Sequence, residues 1–383
     1  MENSQEKKAH PLRAGAAFLG KAVLFLLPLL ILGALPIWTA YRSGELMPND
    51  DIVKAMMSAP TSSPILVGLA MSDPSVYIDF RFVEMRDPEV LVIGDSRVGG
   101  FRANFFTKAN GVYIAAGAAQ KIAQVTDFLR RLPPGEGPKL LVIGLNQKFF
   151  DPGYVPLIPD SIANALLQPV SASDVLSNWP MFYWYFYKRE FSIGQIMDHP
   201  ANRIGLTAIV HGAGYRSDGG YDPGDRPYDP HDPNFAYLEQ GGFGFEYASS
   251  VSPAALGELN DLLALCKSRG IGVVAFLPPY SPKAYAALAA KPASEEGYLS
   301  LIMPSAEPIF QKYGDRIFDF TDPAKLGITQ SEMEDSVHAT ERASLMYFAA
   351  MAQADPLLQH YTDVATLNAG LASSTADFGI LGK

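Results

Sequence analysis

A hydroxyl, an imidazole and a carboxylate stand in two short segments at opposite ends of this chain. The apolar run Val90, Leu91, Val92, Ile93 leads into Gly94, Asp95 and Ser96. Asp335 and His338 lie just ahead of the last strong helical stretch. A serine hydroxyl becomes nucleophilic when a base takes its proton, and an imidazole base works best when a carboxylate orients it. Ser96, His338 and Asp335 are therefore candidates for nucleophile, base and orienting acid in acyl chemistry. Each has a plainer reading too. Asp95 and Asp335 could be helix caps, and His338 could be a first-turn helix residue.

Those residues need a scaffold, and the apolar pattern supplies one. Short buried strands are predicted at residues 89–93, 111–115, 139–143, 271–277 and 316–319. Helical periods fall at 122–131, 254–269, within 294–312, and at 339–352. Strands that alternate with helices imply an α/β fold with a central parallel sheet covered on both faces. In such a sheet, sites form beyond the carboxyl ends of the strands. Chemistry-bearing residues follow this rule: Ser96 after the first strand, Gly117 after the second, Asn146 and Gln147 after the third. Asp335 and His338 would join them from the segment before the last helix. Residues 151–250 break the rhythm, with an aromatic helical part around Trp179 to Tyr187 and then a Gly/Asp/Pro-rich loop. A stretch that long between core elements is usually functional, and we read it as an insertion or lid at the active-site end.

In order and placement these four blocks resemble the SGNH (GDSL-type) hydrolase superfamily, over residues 88–150 and 253–353. The resemblance implies a flavodoxin-like three-layer α/β/α sandwich. It implies that Ser96 attacks an acyl carbonyl, that His338 takes the serine proton and that Asp335 orients the imidazole. The N–H groups of Ser96 and Gly117 and the side-chain amide of Asn146 would form the oxyanion hole. The chain departs from the family pattern at two places. Arg97 stands where a small residue is common, and Gln147 where many members carry Asp. Both are candidate substrate contacts, and Arg97 could equally be a surface charge.

Composition sets the address. The chain has 383 residues and a formal net charge of −10, with no basic stripe, which argues against a nucleic-acid partner. The lone Cys266 excludes an intrachain disulfide and a cysteine metal cluster, and it reads as a small core residue. No cofactor or metal is expected. Asp222, Asp225, Asp229, His231 and Asp232 lack the spacing of a calcium loop and read as a solvated acidic loop. The other histidines read as surface or tail residues. Residues 22–40 form a near-continuous apolar run, preceded by Lys7, Lys8, Arg13 and Lys21 and followed by acids. This predicts an uncleaved single-pass anchor in the inner (cytoplasmic) membrane, with the N-terminus cytoplasmic and the rest periplasmic or otherwise extracytoplasmic. The expected organisation is a tail (1–14), an anchor (15–40), a connector (41–86), a catalytic domain (87–360) and a C-terminal tail (361–383).

An anchor in front of such a domain makes the chain similar to membrane-tethered polysaccharide acyltransferases, the alginate-acetylation and teichoic-acid D-alanyl-transfer type. That likeness implies O-acyl transfer, with acetyl as the expected group, to an exopolysaccharide or cell-envelope glycan. It also implies a multi-span membrane acyltransferase partner that supplies the acyl group. Two alternatives stay open: an anchored acetylesterase using water, and a non-catalytic glycan-binding scaffold. The aromatics from Trp179 to Tyr187 could line a sugar groove or could be core.

Overall fold

The computed structural model describes residues 11–59, 64–133, 135–154, 161–167, 171–225, 232–242, 245 and 248–381. Five strands form a parallel sheet: β1 (Val90–Gly94), β2 (Val112–Ala116), β3 (Leu140–Gly144), β4 (Gly272–Leu277) and β5 (Arg316–Asp319). Their spatial order is β2-β1-β3-β4-β5, with Ile93 opposite Ala115 on one side and Ile143 on the other. The runs read as continuous apolar stretches because both faces are covered. Leu91, Ile93, Leu141 and Ile143 enter one core layer, and Val90, Val92, Leu140 and Val142 enter the other. Each fully buried aliphatic side chain of this kind contributes roughly 1.5–3 kcal/mol of transfer free energy.

The helices are α1 (Pro11–Ser43), α2 (Asn49–Ser58), α3 (Ser75–Arg86), α4 (Ile122–Arg131), α5 (Pro253–Arg269), α6 (Ala293–Tyr313) and α7 (Glu341–Ala354), with shorter ones between them. Residues of α2 to α6 cover the first face, and α7 covers the second through Leu345, Tyr347 and Phe348. Cys266 is buried on α5 in the first layer, which raises its thiol to about 12. Such a group is a small hydrophobe rather than a nucleophile.

Two parts of the expected organisation gain detail. Residues 361–381 of the C-terminal tail pack on the domain. Helix Val364–Ser373 buries Leu367 in the second core layer, and the Glu341 carboxylate accepts N–H bonds from Gly379 and Ile380, both at 3.0 Å. The connector carries helices and a strand of its own. Leu66–Val67 pairs parallel with Arg203–Ile204 and antiparallel with Gly214–Arg216, which pairs in turn with Tyr221–Asp222. Connector and insertion therefore share one small sheet. The buried Glu45 carboxylate ties them further by accepting N–H bonds from Ala70, Met71 and Leu206 at 2.8–3.1 Å.

One described helix is long and apolar enough to cross a membrane: Gly15–Ser43, within α1. None of its apolar window is buried in the protein. By length and composition it fits a single span or a signal anchor.

Candidate active site

The turn after β1 is shaped by close packing. A Cβ on Gly94 would lie 2.8 Å from Val98 Cγ1, and one on Gly144 would lie 2.3 Å from the same atom. Glycine at both strand ends lets the short 3-10 turn Ser96–Val98 fold tightly over the sheet edge. Asp95 caps that turn by accepting the Arg97 N–H at 3.1 Å. The plainer reading of Asp95 therefore holds, and it is what presents Ser96 outward.

Folding brings Ser96 and His338 together. Ser96 Oγ lies 2.8 Å from His338 Nε2, and His338 Nδ1 lies 2.7 Å from Asp335 Oδ2. With its Nδ1–H donated to Asp335, the ring presents Nε2 as the acceptor for the serine hydroxyl. The other Asp335 oxygen accepts the Val337 and His338 N–H groups at 2.8 and 2.7 Å. Cap and orienting acid are thus one residue. Burial opposes the charge on Asp335, but His338 and the two N–H groups outweigh it and hold the carboxyl at about 2. Burial likewise disfavours an imidazolium at His338, but Asp335 more than compensates, so its value rises above the ordinary 6.5. His338 must be neutral to accept the Ser96 proton. A His338-dependent rate is therefore expected to climb with pH through an apparent value above 6.5 and to fall away on the acid side. A pH profile of ester turnover checks this directly.

Asn146 caps the turn after β3 by accepting the Lys148 N–H at 3.1 Å, and its amide donates to Asp95 Oδ2 at 2.5 Å. Burial would raise Asp95, but Lys148, Arg97 and Asn146 keep it charged below its usual value. The Lys148 ammonium sits 3.4 Å from Asp95. Gly117 departs from expectation. Its N–H continues the β1–β2 ladder past the Gly94–Ala116 pair and donates to the Gly94 carbonyl at 3.1 Å. Ser96 and Asn146, which carry the other two expected donors, both line the cavity at the hydroxyl.

Arg97 lines the cavity at Ser96 but spends its guanidinium inside the protein, and Gln147 is buried beside it. Arg97 is 3% exposed, and its guanidinium donates to Gln147 Oε1 at 2.6 Å and to the carbonyls of Pro278, Pro279 and Val337 at 2.6–3.0 Å. It also stacks on Tyr280 at 4.6 Å. Gln147 spends its own amide on Pro278 and Thr321, each at 2.8 Å. Arg97 is a strut that binds the β1 turn to the β3 turn, the β4 exit and the His338 loop. Its removal strands several buried acceptors. Arg97→Ala is expected to cost about 3–4 kcal/mol of stability, and Arg97→Lys, lacking the fork, rescues little. Urea unfolding of the detergent-solubilised protein measures both.

The insertion completes the site. Asp232 caps helix Pro233–Gln240 through the N–H groups of Asn234 and Phe235, and its other oxygen accepts the Ser336 hydroxyl. This latch aims the Asn234 amide at Asp335 Oδ2, 2.9 Å away. Phe245 and Tyr280 close one wall of a small open cavity of about 80 Å³ around Ser96, Asn146, Lys148 and His338. Asn234, Lys148 and Phe245 were not singled out by sequence reasoning. Of the acidic-loop residues, Asp222 and Asp232 serve as turn and cap acceptors, whereas Asp229 and His231 lie outside the described residues. Among the described residues no group of three or more His, Cys, Asp or Glu could hold a metal ion.

Comparison with protein-family models, with curated proteins and with solved structures finds no match for this chain. The reading of the site therefore rests on its geometry.

Proposed function

We propose that this protein is an SGNH-type serine acyltransferase that moves an acyl group, with acetyl as the leading candidate, onto hydroxyls of an exopolysaccharide or cell-envelope glycan. The observation that carries the proposal is the hydrogen-bonded chain from Ser96 through His338 to Asp335 at the carboxyl edge of the sheet. The strand order β2-β1-β3-β4-β5 supports a flavodoxin-like sandwich, in which sites form at that edge.

In the first step His338 Nε2 takes the Ser96 proton as Oγ bonds to the donor carbonyl carbon. We assign the oxygen that becomes anionic to the Ser96 N–H and the Asn146 amide, each such donor being worth roughly 3–4 kcal/mol. Collapse of the tetrahedral species breaks the bond to the leaving group, which receives the proton from His338. In the second step a sugar hydroxyl gives its proton to His338 and attacks the acyl-serine; collapse breaks the acyl–Oγ bond, and Ser96 Oγ takes the proton back from His338. Lys148 keeps Asp95 ionised, and Asp95 holds the Asn146 amide in place.

An anchor at the membrane surface supports a relay in which a multi-span membrane acyltransferase delivers the activated acyl group. The α1 span then holds the domain on the extracytoplasmic side. Ester hydrolysis is the second reading, favoured by one observation: Ser96 is exposed to solvent, so water has access to an acyl-serine. The full-length protein, incubated with an acetyl-ester chromogen with and without oligosaccharide, separates the two. Acetylated sugar that grows with acceptor concentration supports transfer. Free acetate whatever the acceptor supports hydrolysis.

A further inference from the structure

A nine-residue helix in the insertion, Trp179–Tyr187, is made almost wholly of aromatic and apolar residues, yet only Phe182 is buried. Trp179, Trp184 and Tyr187 are 55%, 53% and 80% exposed. The helix does not point into open water. It lies beside α1, and the Tyr183 hydroxyl donates to the Leu32 carbonyl. Proline explains why that carbonyl is free: Pro36 lacks the N–H that would otherwise bond to Leu32, four residues back. In hydrocarbon a freed carbonyl must find a protein donor, and Tyr183 provides it.

Depth follows from the length of α1. At 1.5 Å per residue, the apolar run from Ala22 to Ala40 covers about 28 Å, close to a bilayer core. Leu32 then lies about 12 Å inside the end nearer the domain. Sliding the span toward the N-terminus, to free Leu32 from the bilayer, would carry Lys21 toward the midplane, where an ammonium is expensive. A span set by Lys21 at the headgroups carries the Tyr183 contact, and the aromatic helix with it, into the leaflet. A groove of about 660 Å³ runs between the two helices, lined almost only by apolar atoms of Leu32, Pro36, Ile37, Leu176 and Trp179. Lys188 and Arg189 follow the helix at its exit, and Lys188 sits over the Trp184 ring at 4.6 Å. Aromatics flanked by cations belong at a lipid interface.

We propose that Trp179–Tyr187 is a second membrane element. It is immersed in the leaflet on the domain side, with lipid acyl chains filling the groove and covering its aromatic face, and with Lys188 and Arg189 at the headgroups. The surface is continuous with the apolar helix α1, and this continuity identifies its occupant as lipid. The immersion holds the domain at a fixed height and tilt over the bilayer.

The chain carries three tryptophans, Trp38, Trp179 and Trp184, all in this region. Full-length Trp38→Phe protein is reconstituted in phosphatidylcholine/phosphatidylglycerol vesicles with or without bromine on the acyl chains. The expected result is a roughly twofold loss of tryptophan emission with brominated lipid, together with weak quenching by aqueous acrylamide. The double variant Trp179→Phe, Trp184→Phe supplies the Trp38 signal for subtraction should Trp38→Phe prove unstable. A chain that floats with the vesicles but shows no bromine quenching and free access to acrylamide overturns this inference and assigns the face to a protein partner. A chain that fails to float overturns the anchor as well. Neither readout depends on the chemistry at Ser96.

Discussion

Ser96→Ala will reduce turnover of an acetyl ester by about 10⁶-fold while leaving the thermal midpoint within a degree or two of the parent. The size follows from the pathway. Without Oγ no acyl-serine forms, and the residual rate is that of water acting beside a few oriented donors. At about 1.36 kcal/mol per decade this is roughly 8 kcal/mol of transition-state stabilisation. Small structural cost is expected because Ser96 is exposed and its side chain bonds to His338 alone among the described residues. The measurement is initial rate on a chromogenic acetyl ester, paired with an unfolding curve. A retained rate in the folded variant would point to the scaffold reading of this domain.

Asp335→Asn will lower the plateau rate by about 10⁴-fold, and its signature lies in the pH profile. The carboxylate raises the His338 value above 6.5 and accepts its Nδ1–H. An amide removes that charge, so the acid limb moves to lower pH while the plateau falls. Asp335 also caps its own turn through two N–H bonds, which the amide oxygen of Asn can still accept. The fold is therefore expected to survive, and the loss reads as lost orientation of the ring rather than lost structure. A limb left in place would mean that the titrating group is not His338.

The five strands could be read from sequence to within a residue or so because four are apolar on both faces and the edge strand Arg316–Asp319 is a short run bounded by Gly314 and Thr321. Val90–Gly94 and Leu140–Gly144 are the clearest cases. The principal site residues were also legible, since strand-end motifs converge by topology. What could not be read depends on partners far away in sequence. Nothing near Asn234 tells of Asp335, a hundred residues on. Arg97 reads as a substrate contact or a surface charge until the proline carbonyls at the exit of β4 fold over it. Two-residue strands such as Leu66–Val67 carry no period at all. Gly117 shows a subtler limit: a motif position locates a residue but not whether its N–H is already taken by the neighbouring strand, as it is here by the Gly94 carbonyl. From its sequence the aromatic helix reads as core or as the wall of a sugar groove. Neither alternative includes the bilayer, because α1 and Trp179–Tyr187 are distant in sequence.

The most direct measurement is intact mass and peptide mapping of the full-length protein after exposure to a fluorophosphonate. The expected result is a single phosphonyl adduct on Ser96, formed faster as pH rises through the His338 value and absent from Ser96→Ala. A folded protein that stays unmodified, or that takes up the same adduct with Ser96 replaced, would contradict nucleophilic catalysis at this site.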